Sequence, residues 1–155
     1  MPDGMIRGYM ASDRAACLAL FDGNTPRFFA TSERAEFERF LDRHAAEWAF
    51  RVIDQDGQVV ACGGFAVGRD GRTAHLCWGM VAHGLHRQGL GRRLAEARLA
   101  AASAHPGICD VHLDTSQHSY RFYARLGFRT ERVTPDGYGP ALDRYDMVRP
   151  IRGDG

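Results

Sequence analysis

The chain has no lysine; all twenty of its basic residues are arginine, a bias that codon usage accounts for. Neither sign of charge dominates, and a formal net charge of +1 gives no general attraction to nucleic acid or to an anionic membrane surface. Cysteine is scarce and scattered. Cys17, Cys62, Cys77 and Cys109 form no C-x-x-C pair and have no histidine at ligand spacing, so neither a zinc site nor a disulfide framework is indicated, and the four read as buried thiols. No apolar run approaches the ~20 residues that a membrane span requires. The opening Met1-Pro2-Asp3-Gly4 lacks the basic-then-apolar pattern of a leader. These absences give the expectation of a cytoplasmic protein with no metal, no nucleic-acid partner and no membrane segment.

What is present suffices for one domain. At 155 residues, 45% apolar and 25% charged, the chain can bury one substantial core. That core is expected over residues 1–150, with a frayed tail at 151–155 and no internal repeats. Met5 to Tyr9 reads as a first strand. Ser12 or Asp13, and then Thr31 or Ser32, are placed to cap two helices. The second carries Phe37, Phe40, Leu41 and His44 on one face at helical spacing. Three antiparallel strands follow, Trp48 to Asp54, Val59 to Val67 and Thr73 to Val81, joined by glycine turns ending at Gly57 and Gly71. A helix with Leu90, Leu94, Ala97 and Ala101 on one side runs to His105-Pro106-Gly107, and Ile108 to Leu113 returns as a strand. Strand, crossover helix and strand make a unit with parallel strands, so the sheet should be mixed. Ser116 or Gln117 opens a fourth helix closed by Gly127. Phe128 to Val133 and Arg144 to Val148 form a last hairpin. The expected fold is α+β: a mixed, mostly antiparallel sheet of six to seven strands flanked by about four helices.

The most informative stretch is His86-Arg87-Gln88-Gly89-Leu90-Gly91-Arg92, a glycine turn between a strand and a helix. The first turn of a helix has about four unpaired N–H groups and roughly half a positive charge, which suits a phosphate. Gly89 and Gly91 let backbone come close, and Arg87 and Arg92 add charge. It is not a P-loop, because Gly91 is followed by Arg92 and Arg93 rather than by Lys-Ser/Thr. It is not the dinucleotide fingerprint either, because position 94 is Leu94 rather than glycine, and no acidic residue ends a second strand about 20 residues on. By itself the loop is also compatible with a tight turn that binds nothing.

The order of elements, this loop, and Phe122-Tyr123-Ala124-Arg125-Leu126-Gly127-Phe128 together resemble the GNAT superfamily of acetyl-CoA-dependent N-acetyltransferases, over nearly the whole chain. In that family the pyrophosphate motif is R/Q-x-x-G-x-G/A, after a strand that splays from its neighbour to admit pantetheine. Here His86 stands at the first position, so the fixed positive charge is absent and the amides of Arg87, Gln88, Gly89, Leu90, Gly91 and Arg92 carry the expectation. The resemblance implies that Gly79, Met80 and Val81 present backbone groups to the pantetheine as a pseudo-strand. It implies that Tyr123 protonates the departing thiolate. It also implies a polar cofactor contact seven residues before that tyrosine, where the family has asparagine and this chain has Ser116 with Gln117 beside it.

Acetyl transfer to an amine needs a free nitrogen lone pair, a donor for the thioester oxyanion and a proton for the thiolate. A backbone N–H of Met80 or Val81 can serve the oxyanion. The base is less visible: Asp114 at the end of the fifth strand, or a water chain, with His75, His83 and His112 as chemical alternatives. The acceptor site is expected between the segments 22–30 and 134–143, with Phe28, Phe29 and Tyr138 as an apolar wall and Asp136 and Asp143 attracting a cation. The functional expectation is an acetyl-CoA-dependent N-acetyltransferase acting by direct attack on a primary amine of a small molecule or peptide, with a homodimer among the expected assemblies. The alternative is a catalytically silent CoA-binding or sensing domain.

Overall fold

The structure is a computed structural model, and it describes residues 4–151. Seven strands form one sheet: β1 (Met5–Gly8), β2 (Arg51–Gln55), β3 (Gln58–Val67), β4 (Thr73–Val81), β5 (Asp110–Thr115), β6 (Arg129–Gly139) and β7 (Leu142–Pro150), in the order β1-β2-β3-β4-β5-β7-β6. Four helices accompany it: α1 (Arg14–Gly23), α2 (Arg34–Arg43), α3 (Leu90–Ser103) and α4 (Tyr120–Arg125). Every strand pair is antiparallel except β4–β5, the pair spanned by the crossover helix α3. This is the α+β fold with a mixed sheet that the sequence predicts.

Three apolar clusters pack on the sheet, the smallest joining Leu90 and Leu94 of α3 to Ile53, Val60 and Ala61. Cys17, Leu18 and Phe21 of α1 and Phe37, Phe40 and Leu41 of α2 meet Val52, Cys62 and Met80 on one side. Leu99 and Ala102 of α3 meet Phe65, Ala74, Leu76, Val111, Leu113 and Met147 on the other. The buried stripe of α3 is Leu90, Leu94, Ala95, Arg98, Leu99 and Ala102, whereas Ala97 and Ala101 are half-buried. The stripe therefore lies one residue round from its expected line, with an arginine inside it. His44 likewise leaves the core face of α2, remaining half-exposed and stacking on Trp48.

The expected side-chain caps of α1 and α2 are replaced by another device. Each helix is led in by a three-residue 3-10 turn, Ala11–Asp13 and Thr31–Glu33. The acid closing each turn reaches back: Asp13 accepts from Met10 N–H at 2.8 Å, and Glu33 accepts from Ala30 N–H at 2.8 Å. At the other end of the chain the hairpin strands run longer than expected. The signal Pro135-Asp136-Gly137 is a bulge within β6, where register shifts between Thr134 and Gly139, and the reversal falls at Pro140-Ala141. Asp136 and Asp143, expected to attract a cation, accept instead from the amides of Ala141 and Asp136 at 2.8 and 2.9 Å. Of the expected tail, Ile151 donates to Cys109 O at 2.9 Å and packs on the second core; residues 152–155 lie outside the described residues.

Gly64 shows how tightly β3 meets β2. A Cβ there would stand 2.7 Å from the Trp48 carbonyl and 3.0 Å from Phe50 Cα, both backbone atoms with no freedom to retreat. Gly64→Ala is expected to destabilise the fold by about 1–3 kcal/mol, read as a lower urea midpoint at unchanged slope; an unshifted midpoint would refute the tight contact.

Candidate active site

β4 departs from regular geometry twice. Against β3, the register runs Cys62↔Met80 and then Gly64↔Cys77, so Trp78 and Gly79 together oppose Gly63. Trp78 adopts φ +51°, the left-handed region that a bulky residue rarely occupies. The extra residue puts both Cys77 and Trp78 against the α1/α2 core. Trp78 is held there by Phe37 at 4.8 Å, Phe29 at 6.2 Å and Phe40 at 6.3 Å between ring centroids.

Against β5, β4 pairs only at Thr73↔Asp110, Ala74↔Val111 and His75↔His112, and then parts from it. Gly79, Met80 and Val81 lie beyond the last pair, on the open flank of the split. The Val81 carbonyl is already occupied, accepting from Asn24 Nδ2 at 2.9 Å and lying 3.0 Å from His86 Nε2. Beneath Gly79 lies Arg98, 2% exposed. A Cβ on Gly79 would stand 2.8 Å from Arg98 Nη2 and one on Gly63 3.0 Å from Arg98 Cζ, so the two glycines make the space that the guanidinium fills. Arg98 donates to Gly64 O at 3.4 Å, and among the described residues its Nε has no partner. Sequence periodicity missed this arginine; its four-residue spacing from Leu94 and Ala102 was the available signal.

At the mouth of the split stands the glycine loop. Gly89 has φ +82°, immediately before α3, and Arg87 has φ +68°. Arg87, Gln88, Gly89 and Arg92 are exposed, Gly91 is half-buried, and Leu90 turns inward to the core. No atom stands within 4 Å of where a Gly89 Cβ would be. A Cβ at Gly91 would lie 3.4 Å from Phe122 Cζ, so the first turn of α3 abuts α4. That contact sets Tyr123, which is half-buried, edge-on to Phe122 and Phe128 at 5.0 and 5.9 Å. Among the described residues its hydroxyl has no hydrogen-bond partner.

The approach to α4 separates the two candidates at its start. Ser116 is buried, and its hydroxyl oxygen accepts from His118 N–H at 3.2 Å. Gln117, read as a cofactor contact, instead uses both ends of its amide on the hairpin: Nε2 donates to Ala141 O and Oε1 accepts from Asp143 N–H, each at 2.8 Å. The helix itself starts later than expected, at Tyr120, because the Ser116 carbonyl accepts from the amides of Ser119 and Tyr120 in a preceding turn.

On the α1/α2 side of the split the polar groups converge. Asp114 accepts from the Tyr138 hydroxyl in a short hydrogen bond, lies 3.2 Å from His75 Nε2 and 3.7 Å from Arg144 Nη2. Burial alone would raise its pKa, but the hydrogen bonds from His75 and Tyr138 and the charge of Arg144 outweigh it and hold the carboxyl below the usual range. Burial and Asp114 push the Tyr138 phenol well up. Phe29 packs between Trp78 and Phe21, and Ala30 lies where a Gly139 Cβ would touch it at 3.5 Å, joining the segment before α2 to the hairpin. Glu33 follows three residues later, half-buried, and was missed by the sequence reading. Burial pushes its carboxyl up to about 7, with Glu36 and Asp114 adding to the rise and the Ala30 amide opposing it. Phe28 stands on edge between His86 at 5.2 Å and His118 at 6.0 Å, and so connects the two sides of the split.

Residues 16–128 match the acetyltransferase (GNAT) family, so the chain belongs to that family and is an acyltransferase. The fold agrees. YncA from Salmonella typhimurium, solved with its cofactor acetyl-CoA, superposes with a TM-score of 0.78 at 19% identity, over 99% of this chain and 97% of that one. Ribosomal-protein-alanine N-acetyltransferase from Brucella melitensis gives 0.75 at 18% identity over 95% and 99%. Ard1 from Thermoplasma volcanium gives 0.78 at 19% over 98% and 100%. No curated protein matches the chain in sequence. Among the described residues, no helix is long and apolar enough to cross a membrane.

Because the Asp114 pKa is depressed in the folded state, the stability it contributes is present above the pKa of a free aspartate, about 3.9, and is lost as pH falls through the folded value. Asp114→Asn is expected to cost about 1–3 kcal/mol at pH 7, and its deficit against wild type should shrink below pH ~4. Urea midpoints of both proteins across that range check this; a deficit independent of pH would mean that the carboxylate charge contributes nothing.

Proposed function

We propose that the chain transfers the acetyl group of acetyl-CoA to a primary amine of a small molecule or peptide, by direct attack of the amine on the thioester. The observation that carries this reading is the parting of β4 from β5 after His75↔His112, with the Gly89–Gly91 turn at its mouth and Tyr123 beside it. The residues fit the co-substrate. Gly89 has open space where a Cβ would project, and the leading N–H groups of α3 lack intrahelical acceptors. The amides of Arg87, Gln88, Gly89, Leu90, Gly91 and Arg92 receive the pyrophosphate, with the Arg87 and Arg92 guanidiniums adding charge. Gly79, Met80 and Val81 present amides to the pantetheine, and Ser116 adds a hydroxyl. The Val81 carbonyl, held by Asn24 and His86, is not part of this set.

In this reading a Met80 or Val81 N–H donates to the carbonyl oxygen as negative charge develops on it. The Tyr123 hydroxyl, without a hydrogen-bond partner among the described residues, gives its proton to the sulfur as the C–S bond breaks. Asp114 keeps its charge, and together with Tyr138 and Phe29 forms a wall that favours a cation with an apolar neighbour. This is the role we assign it in place of general base, because a carboxyl held below its ordinary pKa is a weak proton acceptor.

Acetyl-CoA at about 100 times its Kd is expected to stabilise wild type by about 2.7 kcal/mol, raising Tm by roughly 5–10 °C for a domain of this size. Gly89→Val, a β-branched residue at positive φ in the loop, should abolish the shift. A wild type that does not respond would refute the loop assignment. Tyr123→Phe should lower kcat by about 10²–10⁴-fold with acetyl-CoA affinity unchanged. Equal turnover of the two proteins would remove Tyr123 from the reaction.

A further inference from the structure

The side of the split that faces α1 and α2 holds two carboxylates in opposite circumstances, and only one is already committed to cations. Asp114 has His75 from β4, Tyr138 from β6 and Arg144 from β7 around it. Arg144 itself is shared with Asp146, at 3.0 Å. Among the described residues, Glu33 has no cation or hydroxyl in contact, and its one hydrogen bond is from the Ala30 amide to Oε2. That bond leaves Oε1 free and fixes the carboxyl at the head of α2. The residues between them tie Glu33 to the same site: Ala30 backs onto Gly139, beside the Tyr138 that reaches Asp114, and Phe29 lies on the Trp78 of the β4 bulge.

Resting on the acetyl-transfer reading, we infer that Glu33 is the proton acceptor for the attacking amine, with Asp114 as its fixed-charge counterpart. The charged and titratable groups that act on Glu33 are Glu36 of its own helix, Asp114 of β5 and Tyr138 of β6, with His75 and Arg144 behind Asp114. The nearest influences are thus acidic. They oppose ionisation of Glu33 and so favour its taking a proton, which is the division of labour expected when neighbouring carboxyls are driven apart in pKa.

The proton account closes. The substrate ammonium gives one proton to the ionised Glu33 carboxylate, and the freed nitrogen lone pair forms the C–N bond. The C–S bond then breaks and its electron pair goes to sulfur, which takes the Tyr123 proton. The second proton, on the new N–H₂⁺, returns to Tyr123, directly or through water, and restores the phenol. Glu33 returns its proton to solvent, so one proton is released per turnover, as an ammonium-to-amide conversion with a free thiol requires.

The test uses the full chain with saturating acetyl-CoA and a panel of primary amines, reading free thiol between pH 5.5 and 9. Wild type should show a rising limb in kcat/KM near pH 7, as expected for a carboxyl that burial pushes up to about 7. Glu33→Gln, whose amide oxygen can still accept from Ala30 N–H, should lower kcat by about 10²–10⁴-fold and lose that limb, while keeping the wild-type thermal shift with acetyl-CoA. Glu33→Asp should retain the limb at reduced rate. A Glu33→Gln enzyme that binds acetyl-CoA and keeps both limb and rate would overturn the assignment of Glu33 alone. A wild type that binds acetyl-CoA and acetylates no amine in the panel would overturn the transfer reading, and Glu33's role with it.

Discussion

A strand bonded on both edges has no room for a ligand, and β4 is bonded on both edges for only three residues of its parallel side. Beyond His75↔His112 its backbone must find other partners or stay open. The molecule closes part of that account with Asn24 and His86, which take the Val81 carbonyl, and with the Cys62 thiol, 3.7 Å from the Trp78 carbonyl. The bulge fixes where this happens. A left-handed Trp78 costs on the order of 1–3 kcal/mol, and the aromatic cluster around it, with Phe37 4.8 Å away, offsets that cost. Without the extra residue, the alternation along β4 would turn Trp78 towards α3, where Arg98 now lies.

The split has two unlike sides. On the α3/α4 side, Tyr123 sits edge-on to Phe122 and Phe128, and among the described residues its hydroxyl has no hydrogen-bond partner. On the α1/α2 side, Tyr138 donates to Asp114, and the charge of Asp114 acts on Glu33. In the proposed reaction these are the two directions in which protons must move, one to sulfur and one away from nitrogen. The sheet keeps them apart, so the acid and the base do not neutralise each other. Arg98 lies on the α3 side, where its guanidinium fills the gap left by Gly63 of β3 and Gly79 of β4.

Much of this was readable in one dimension because it rests on local rules. The Gly89-Leu90-Gly91 turn opens a helix, the Gly127 cap at φ +95° closes one, and alternating apolar residues mark strands, all within a few residues. What was missed depends on pairs distant in sequence. The hairpin looked short because Pro135-Asp136-Gly137 is a strong turn signal, yet the pairing of β6 with β7 resumes at Gly139↔Leu142, and Asp143 accepts from the Asp136 amide within the bulge. Gln117 looked free until Ala141 and Asp143 came beside it. Glu33 had a local sign, an acid three residues after Ala30, which predicts its capping bond but says nothing of the site it faces.

The sequence by itself determined the order of helices and strands, the glycine turn before α3, and the aromatic helix end that follows it, because each is set by spacing and by glycine stereochemistry. The charge state of each carboxylate was decided only by the tertiary structure. Asp114 and Glu33 are the same functional group eighty-one positions apart. One is ringed by His75, Tyr138 and Arg144, and the other by a single amide, with acids as its charged neighbours. That difference comes from how β4, β6, β7 and α2 are brought together, since the electrostatics of a buried group depends on what folding places within a few ångströms of it.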